Sequence, residues 1–249
     1  MAPAAARTPR FYFSLRSPYS WLAYRELTDR HPDVAAAVEW RPFFEPDATS
    51  ERLLTEAGGS FPYTPMSRAK HLYILQDVGR LVKERGLAMT WPVDRNPVWE
   101  VPHLAYLVAR DAGPEYGARY VAAAYRTRWE EGRDICDRAV IAGLGAELGL
   151  DPDALAGASD DPELRRRGVR ALQDVCADGV FGVPFFTHGF SRYWGLDRLP
   201  AFAAHLRAAG TPAGTPARAL PEPVPSAVGL GAVGLGAHAT DDGHAGGCG

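Results

Sequence analysis

The sequence predicts an α/β fold in which a small sheet with flanking helices is interrupted by a long helical block. Near the N-terminus, residues 11–15 form an aromatic run and residues 38–44 a second apolar run, with helix-forming sequence between them. From 65 to 177 the apolar residues mainly recur at helical spacing. Strand signals return only at 185–187 and 191–193, before a last helical stretch. The sheet-forming parts therefore lie at opposite ends of the chain.

The first helix has a start signal and a stop signal in the sequence. Ser17 is a favoured N-cap and Pro18 a favoured first helical residue, so we expect a helix from Pro18 to about Arg30. The His31-Pro32 pair ends it. The strand–helix–strand order favours parallel pairing of the first two strands.

The central part is predicted to be a loop followed by helices. Residues 46–64 contain Gly, Ser and Pro and are expected to form the loop. The next helix covers 65–85 and ends at Gly86. Its expected buried face consists of Leu72, Leu75, Val78, Leu81 and Val82. An irregular segment at 88–97 follows, and helices are then expected at about 98–111, 114–131, 137–148, 151–157 and 161–177.

The C-terminal strands are predicted to join the N-terminal ones in a single domain. The strands at 185–187 and 191–193 are separated by a short hairpin connection, and a last helix runs from Asp197 to about Ala208. This order is typical of a thioredoxin-like fold with an all-helical insertion. We therefore assign 10–45 and 178–208 to the thioredoxin-like domain and 46–177 to the insertion. Residues 1–9 and 209–249 are poor in large apolar side chains and are expected to be disordered.

Composition and cysteine spacing argue against several classes of protein. The 249 residues carry a net charge of -3 at pH 7 with no basic cluster, so we expect no nucleic-acid partner. No apolar run approaches the roughly 20 residues that span a bilayer, and no signal peptide is evident, so we expect no membrane partner and a cytoplasmic protein. Cys136, Cys176 and Cys248 form no C-x-x-C motif, which predicts neither a disulfide framework nor a metal site. His238 and His244 lie near Cys248 in the tail, where no fold would hold a metal.

The start of the first helix is the main candidate for a reaction site. A helix N-terminus presents unpaired N–H groups and the positive end of the helix dipole, which lowers the pKa of a nearby thiol. Thioredoxin-like redox proteins place Cys-x-x-Cys there, but this chain has Ser17-Pro18-Tyr19-Ser20. Two hydroxyls cannot form a disulfide, so direct thiol–disulfide exchange is excluded at this point. Ser17 can instead donate a hydrogen bond to a thiolate that a cofactor brings, or it is only an N-cap.

A second candidate segment is Gly182-Val183-Pro184-Phe185. It matches the point where thioredoxin-like proteins carry a cis proline that faces the first helix, so we expect a cis Val183–Pro184 bond. This geometry would leave the N–H and C=O of Val183 to pair with an extended ligand backbone. The alternative is an ordinary trans proline at the start of a strand.

Several segments together resemble the 2-hydroxychromene-2-carboxylate isomerases and the kappa-class glutathione transferases, a DsbA-like branch of the thioredoxin superfamily. FYFSLRSPYSWLA resembles the opening strand, Ser-Pro-x-Ser turn and helix of that family. Lys70, Tyr73, Asp77 and Arg80 match the spacing of its first insertion helix, and GLAMTWP resembles the segment that follows. GVFGVPFF resembles its cis-proline strand and YWGLDRL its Trp-Gly-x-Asp-Arg-Leu ending. The resemblance covers about residues 10–206.

The resemblance implies a thiol cofactor, glutathione or another small thiol, bound across the cis-proline loop. Its contacts would be Ser17 at the sulfur, Val183 and Pro184 at the cysteinyl backbone, Asp197 at the γ-glutamyl amine and Lys70 at a carboxylate. Leu196 replaces a polar residue that the isomerases typically carry before the Asp, so the identity of the thiol stays open.

The resemblance also implies a cis/trans isomerase with a conjugated substrate. In the isomerases a thiolate adds to a conjugated C=C bond, the bond rotates, and elimination restores it in the other geometry. The substrate would be a 2-hydroxychromene-2-carboxylate-like acid or a polyene or enoyl intermediate of aromatic or polyketide metabolism, free or carrier-bound. The candidate substrate contacts are Tyr19, Ser20, Tyr73, Trp91 and Asn96. Tyr73 is otherwise a packing residue of its helix, and Asn96 otherwise a turn residue.

Other functions stay open from the sequence. The chain could be a glutathione transferase, or a thioredoxin-like binding module without catalysis. Cys136 could provide an internal thiol if it reached Ser17. Members of the family are often dimers, so a homodimer is a further option.

Four polar residues and one cysteine have a simpler interpretation. Asp77 and Arg80, at i and i+3, could be only a surface ion pair. Cys176 is expected to pack on the apolar face of its helix, and His71 and His103 have no identifiable partner.

Overall fold

The computed structural model describes residues 8–62 and 66–210. The disorder predicted for 1–7 and 211–249, and the tail residues His238, His244 and Cys248, lie outside the described residues, as does the predicted helix start at 65. The strands are β1 (Arg10–Phe13), β2 (Glu39–Pro42), β3 (Phe185–His188) and β4 (Ser191–Trp194). The helices are α1 (Pro18–Arg30), α2 (Pro32–Ala37), α3 (Ala48–Glu56), α4 (Arg68–Glu84), α5 (Glu100–Ala112), α6 (Pro114–Tyr125, continued by a π-helical turn over Arg126–Glu130), α7 (Arg138–Leu148), α8 (Pro152–Ala156), α9 (Pro162–Asp178) and α10 (Leu199–Ala208, preceded by a 3-10 turn over Leu196–Arg198).

The four strands form one mixed sheet in the order β2-β1-β3-β4. β1 pairs in parallel with β2, as predicted, and antiparallel with β3, and β3 forms the predicted hairpin with β4. In the central pair, Arg10 lies opposite Thr187 and Tyr12 opposite Phe185. The two ends of the described chain therefore meet at the centre of the sheet.

Helix α1 begins and ends where the sequence predicts. Ser17 is the N-cap, since its Oγ accepts a hydrogen bond from the N–H of Ser20 at 3.3 Å, and Pro18 occupies the first turn. A short helix, α2, then starts at Pro32, which the sequence analysis did not predict. Pro32 ends one helix and begins the next because proline is tolerated in the first turn of a helix but not in its interior.

The loop predicted over 46–64 is wrong for its first half, which forms α3. Asp47 caps this helix by accepting from the N–H of Ser50 at 2.8 Å, and Leu54 is buried beneath it. The glycines that suggested a loop, Gly58 and Gly59, follow the helix and terminate it. Composition averaged over the whole stretch therefore hid a short capped helix.

The core joins the sheet, α1 and the helical block. Phe13 of β1 packs edge-on against Tyr106 of α5, with ring centroids 5.2 Å apart. Trp21 of α1 stacks on Trp129 of the π-helical turn at 6.2 Å. The helical block thus packs directly on the elements that flank the predicted reaction site, although the domain boundaries themselves stay a prediction.

Helix α4 presents a buried face that differs in part from the predicted one. Ile74, Val78 and Val82 are buried at i, i+4 spacing, whereas Leu72 is 47% exposed. Leu72 is two residues from Ile74 and therefore lies on another face of the helix. No helix in the described part of the chain is both long and apolar enough to cross a membrane.

Candidate functional site

The turn from β1 into α1, residues 14–17, brings both predicted site serines into the interior. The N–H of Ser17 donates to the carbonyl of Ser14 at 3.1 Å, and the N–H of Ser14 donates to Oγ of Ser20 at 3.3 Å. Ser17 and Ser20 are both fully buried. The two hydroxyls therefore hold the turn and the first turn of α1 in one arrangement.

The surroundings of the Ser17 hydroxyl suit an anion. Because Ser17 Oγ accepts from Ser20, its own hydrogen is left for another acceptor, and none is present among residues 8–62 and 66–210. The first turn of α1 contains no acidic residue, so the positive end of the helix dipole is not neutralised there. The neighbouring Arg16 is paired with Glu45 at 2.5 Å. Since Ser17 is fully buried, a ligand reaches its hydroxyl only when neighbouring groups shift.

The cis-proline segment lies at the same edge of the sheet as this turn. The Val183–Pro184 peptide bond is cis, as predicted. The last pair of the antiparallel β1–β3 register is Tyr12 with Phe185, so the chain leaves β1 at the edge of the sheet where it enters β3. Within the described ranges, neither the N–H nor the C=O of Val183 has a backbone hydrogen-bond partner. The segment therefore combines a position at the same edge of the sheet as this turn with an unpaired stretch of backbone.

Asp197 lies in the 3-10 turn over Leu196–Arg198, and this turn packs against α1. Its side chain is 74% exposed, and Nε of Arg198 is 3.6 Å from one carboxylate oxygen. The N–H of Gly195 donates to the carbonyl of Pro184 at 2.9 Å, which connects this turn to the cis-proline segment. Leu196 is part of the core, so its side chain is not available to a ligand.

Asp77 of α4 joins two of the predicted substrate contacts. It accepts hydrogen bonds from the hydroxyl of Tyr19 at 2.8 Å, from the hydroxyl of Tyr73 at 3.4 Å and from Arg80 at 3.0 Å. Burial, and then the Asp77 carboxylate, raise the pKa of Tyr19, so its hydroxyl keeps its proton. Asp77 thus connects α4 with the first turn of α1, beyond the surface pair with Arg80. Lys70 on the same helix is exposed and has no ion-pair partner in the part of the chain described.

The two remaining predicted substrate contacts lie in the irregular segment at 88–97 and are exposed. Trp91 packs edge-on against Trp129 at 5.9 Å, and Trp129 stacks on Trp21 of α1, which places Trp91 at the end of an aromatic series. Asn96 has a φ of 51°, which fits the turn interpretation. No contact between described residues links Asn96 to Ser17.

The described cysteines do not fit an internal nucleophile. Burial raises the pKa of Cys136 to about 12, so its thiol stays protonated near neutral pH and lacks the thiolate character that a nucleophile needs. The prediction that Cys176 packs on an apolar face is wrong, since this residue is exposed. Its Sγ lies 3.0 Å from the carbonyl oxygen of Ser60.

Two further residues contact the turn, and the sequence analysis connected neither to it. Nε2 of His103, on α5, accepts from the N–H of Leu15 at 3.0 Å, and the hydroxyl of Tyr125 donates to the carbonyl of Ser14 at 3.1 Å. The partners are 88 and 111 positions apart in the sequence, so no local spacing could have indicated them.

A surface cavity of about 520 Å³ lies between β2, α5 and α9 and contains none of the predicted site residues. Four of its lining residues are arginines: Arg41, Arg110, Arg167 and Arg170. Asp174, Asp111 and Glu163 pair with three of them, so we do not assign the reaction to this cavity. In the described part of the chain, no group of three or more His, Cys, Asp or Glu residues could hold a metal ion.

Comparison with known proteins agrees with this architecture. Residues 10–207 match the family model of the DSBA-like thioredoxin domain. A curated relative from Sphingobium xenophagum, 2-hydroxychromene-2-carboxylate isomerase, is 29% identical over 201 residues, which cover 80% of this chain and 98% of the relative.

Two solved structures illustrate the likeness in three dimensions. A 2-hydroxychromene-2-carboxylate isomerase has a TM-score of 0.66 at 22% identity, covering 81% of this chain and 95% of that chain. The cytosolic disulfide reductase DsbM from Pseudomonas aeruginosa with GSH has a TM-score of 0.50 at 20% identity, covering 81% and 98%. The predicted thioredoxin-like fold of the DsbA type is confirmed.

Proposed function

Since the chain belongs to the family of the DSBA-like thioredoxin domain, we propose that it is a thiol-dependent isomerase that interconverts the cis and trans forms of a conjugated C=C bond. Curated relatives named 2-hydroxychromene-2-carboxylate isomerase support an isomerase. The observation that carries the proposal is Ser17, which caps α1 and retains a hydroxyl hydrogen that can be donated to an anion.

The residues of the site fit a small thiol such as glutathione. When bound, such a thiol supplies a nucleophile that adds reversibly to a conjugated double bond and so permits rotation about it. Ser17 would donate a hydrogen bond to the sulfur, and the positive end of the α1 dipole would stabilise negative charge there. The unpaired backbone of Val183 suits a peptide-like ligand, and the exposed carboxylate of Asp197 suits an ammonium group. DsbM, which shares the fold, is a protein solved with GSH.

The proposed substrate is a conjugated acid of the 2-hydroxychromene-2-carboxylate type, or a polyene or enoyl intermediate, free or on a carrier. Tyr19, Tyr73 and Trp91 offer aromatic surface that suits a planar conjugated molecule. Lys70 is exposed and lacks an ion-pair partner among the residues described, which favours an acid over a neutral thioester.

Ser17→Ala tests the proposal, with Ser67→Ala as a matched control. Ser67 caps α4 in the same way, because its Oγ accepts from the N–H of Lys70 at 3.2 Å. Each variant should lose about 1 kcal/mol of stability with its cap. Only Ser17→Ala should slow glutathione-dependent isomerisation of 2-hydroxychromene-2-carboxylate, by about 100-fold, as is usual when one donor to a developing anion is removed.

The assay follows the absorbance of the substrate with and without glutathione. Equal turnover by Ser17→Ala and the wild type would contradict the proposal, and so would full turnover in the absence of any thiol.

A binding module without catalysis is the second candidate, and one observation favours it. Ser17 is 0% exposed and Val183 1% exposed, so a thiol has to displace groups that cover them. Titration calorimetry with glutathione separates the candidates: heat of binding supports the isomerase, whereas neither binding nor turnover supports the module. Conjugation of glutathione to chlorodinitrobenzene would instead identify a glutathione transferase.

A further inference from the structure

The backbone of the turn before Ser17 has nearly all of its hydrogen bonds made within the protein. The N–H of Ser14 is bonded to Ser20, and the carbonyl of Ser14 accepts from Ser17. The N–H of Arg16 lies 3.3 Å from Oγ of Ser14. These three bonds are local to the turn and the start of α1, so by themselves they do not fix the turn relative to the helical block. From that block, the hydroxyl of Tyr125 donates to the carbonyl of Ser14 at 3.1 Å.

His103 makes a second connection between the turn and the helical block, at the N–H of Leu15. Its Nε2 accepts from the N–H of Leu15 at 3.0 Å, and its Nδ1 lies 2.7 Å from the carbonyl oxygen of Trp99. Because an N–H donates to Nε2 and a carbonyl faces Nδ1, the hydrogen of the neutral ring resides on Nδ1. Each ring nitrogen therefore has one backbone partner, and the two partners belong to different parts of the chain.

The imidazole is held as a neutral acceptor. His103 and Leu15 are both 0% exposed, so water cannot replace either bond. The ring stacks on Phe44, with centroids 5.2 Å apart and planes inclined by 21°. Burial lowers the pKa of His103 to about 3, so the lone pair of Nε2 remains available to Leu15 at neutral pH.

We propose that His103 is a positioning residue for the reaction, which fixes the turn two residues before Ser17 and thereby aims the Ser17 hydroxyl. This role rests on the proposed function of Ser17. A hydroxyl displaced by even half an ångström loses much of its alignment with a developing charge, so a tether of the adjacent backbone affects the rate rather than ligand affinity.

Two conservative variants separate this role from simple core packing. In His103→Gln the side-chain amide oxygen can take the place of Nε2 and keep the bond to Leu15. In His103→Asn the shorter amide reaches the place of Nδ1, so it keeps the bond to Trp99 but leaves the N–H of Leu15 without an acceptor. Both side chains are neutral and polar and both remove the stacked ring. Asn leaves a cavity one methylene larger than Gln does, so kcat is compared per folded molecule.

The expected result is a difference between the two variants. His103→Asn should lower kcat by about tenfold or more with KM for substrate and thiol changed less than threefold, and His103→Gln should restore most of the rate. Hydrogen exchange of the Ser20 amide, which donates to Ser17 Oγ, gives a second measurement that needs no turnover. It should accelerate about tenfold in His103→Asn and stay near the wild-type rate in His103→Gln.

The outcomes keep the two proposals distinct. Equal kcat per folded molecule in both variants and the wild type, with unchanged exchange at Ser20, overturns the positioning role. A wild-type protein without thiol-dependent activity overturns the proposed function, and in that case faster Ser20 exchange confined to His103→Asn still supports the tether.

Discussion

Lowering the pH from about 7 to about 5 should destabilise the wild-type protein by about 2 kcal/mol more than it destabilises a His103→Gln variant. The reason is the environment of the imidazole. His103 is fully buried, both ring nitrogens are bonded to backbone groups, and burial lowers its pKa from an ordinary 6.5 to about 3. The charged ring is therefore excluded from the folded protein at any pH well above 3.

The sign and size follow from proton linkage. The unfolded chain protonates His103 as the pH falls through about 6.5, while the folded chain does so only near 3. The contribution is thus fully present above 6.5 and is lost progressively between 6.5 and 3. At about pH 5 the solution is about one and a half units below the unfolded pKa, and each unit costs about 1.4 kcal/mol, which gives about 2 kcal/mol.

The assay is urea denaturation of both proteins at several pH values between about 7 and 5. The unfolding free energy of each protein is plotted against pH, and the two slopes are compared. The contributions of all other titrating groups cancel in this comparison, because both chains contain those groups. His71→Gln is the matched control, since His71 is exposed on α4. Its curve should run parallel to that of the wild type.

Parallel curves for the wild type and His103→Gln, within about 0.5 kcal/mol over this range, would refute the reasoning. They would mean that the ring is protonated in the folded state without cost, and then it could not accept from Leu15.

Three further predictions concern single contacts. Asp94→Ala should lower the free energy of unfolding, measured by chemical denaturation, by about 3–5 kcal/mol. The variant removes the bidentate partner of Arg128, a residue that is 2% exposed. A loss below about 1 kcal/mol would show that water replaces the carboxylate. Gly195→Ala should weaken thiol binding in calorimetry and lower the free energy of unfolding by about 1–2 kcal/mol. The reason is that φ of Gly195 is 102° and an added Cβ would lie 2.7 Å from Asp197 Oδ1. Unchanged affinity would contradict the role of Asp197, and unchanged stability would contradict the predicted backbone strain. Alkylation of Cys136 at neutral pH should be slow by peptide mass spectrometry, because burial raises its pKa to about 12; rapid labelling of the native protein would contradict this.

Local signals in the sequence were sufficient to predict an element where its start or end depends on residues close by in the chain. The Ser17-Pro18 pair specified the start of α1 because an N-cap acts on N–H groups two or three residues away. The same logic applies to Asp47, which caps α3, but the loop prediction rested on the Gly, Ser and Pro of the stretch and did not use that signal.

The candidate site was predictable in its chain-local parts and not in its supports. Ser17 and the cis Val183–Pro184 bond follow from short motifs. The bond from His103 to Leu15 depends on how α5 is packed, and nothing in the spacing of the two residues indicates it. The full burial of Ser17 likewise results from the packing of several elements. The Ser-Pro-x-Ser motif contains no information about that packing, so it could not predict the burial.

The two central strands of the sheet, β1 and β3, are separated in the sequence by almost every other element of the fold. Arg10 lies opposite Thr187, so β1 cannot meet its antiparallel partner until the helical block has left the ribosome. Distant contacts form more slowly than local ones, so we expect the β1–β3 pairing to be a late step of folding. A chain interrupted before residue 183 would contain the Ser17 turn but not the cis-proline segment at the same edge of the sheet. The proposed binding of a ligand across both segments therefore requires that the chain has been synthesised past residue 183.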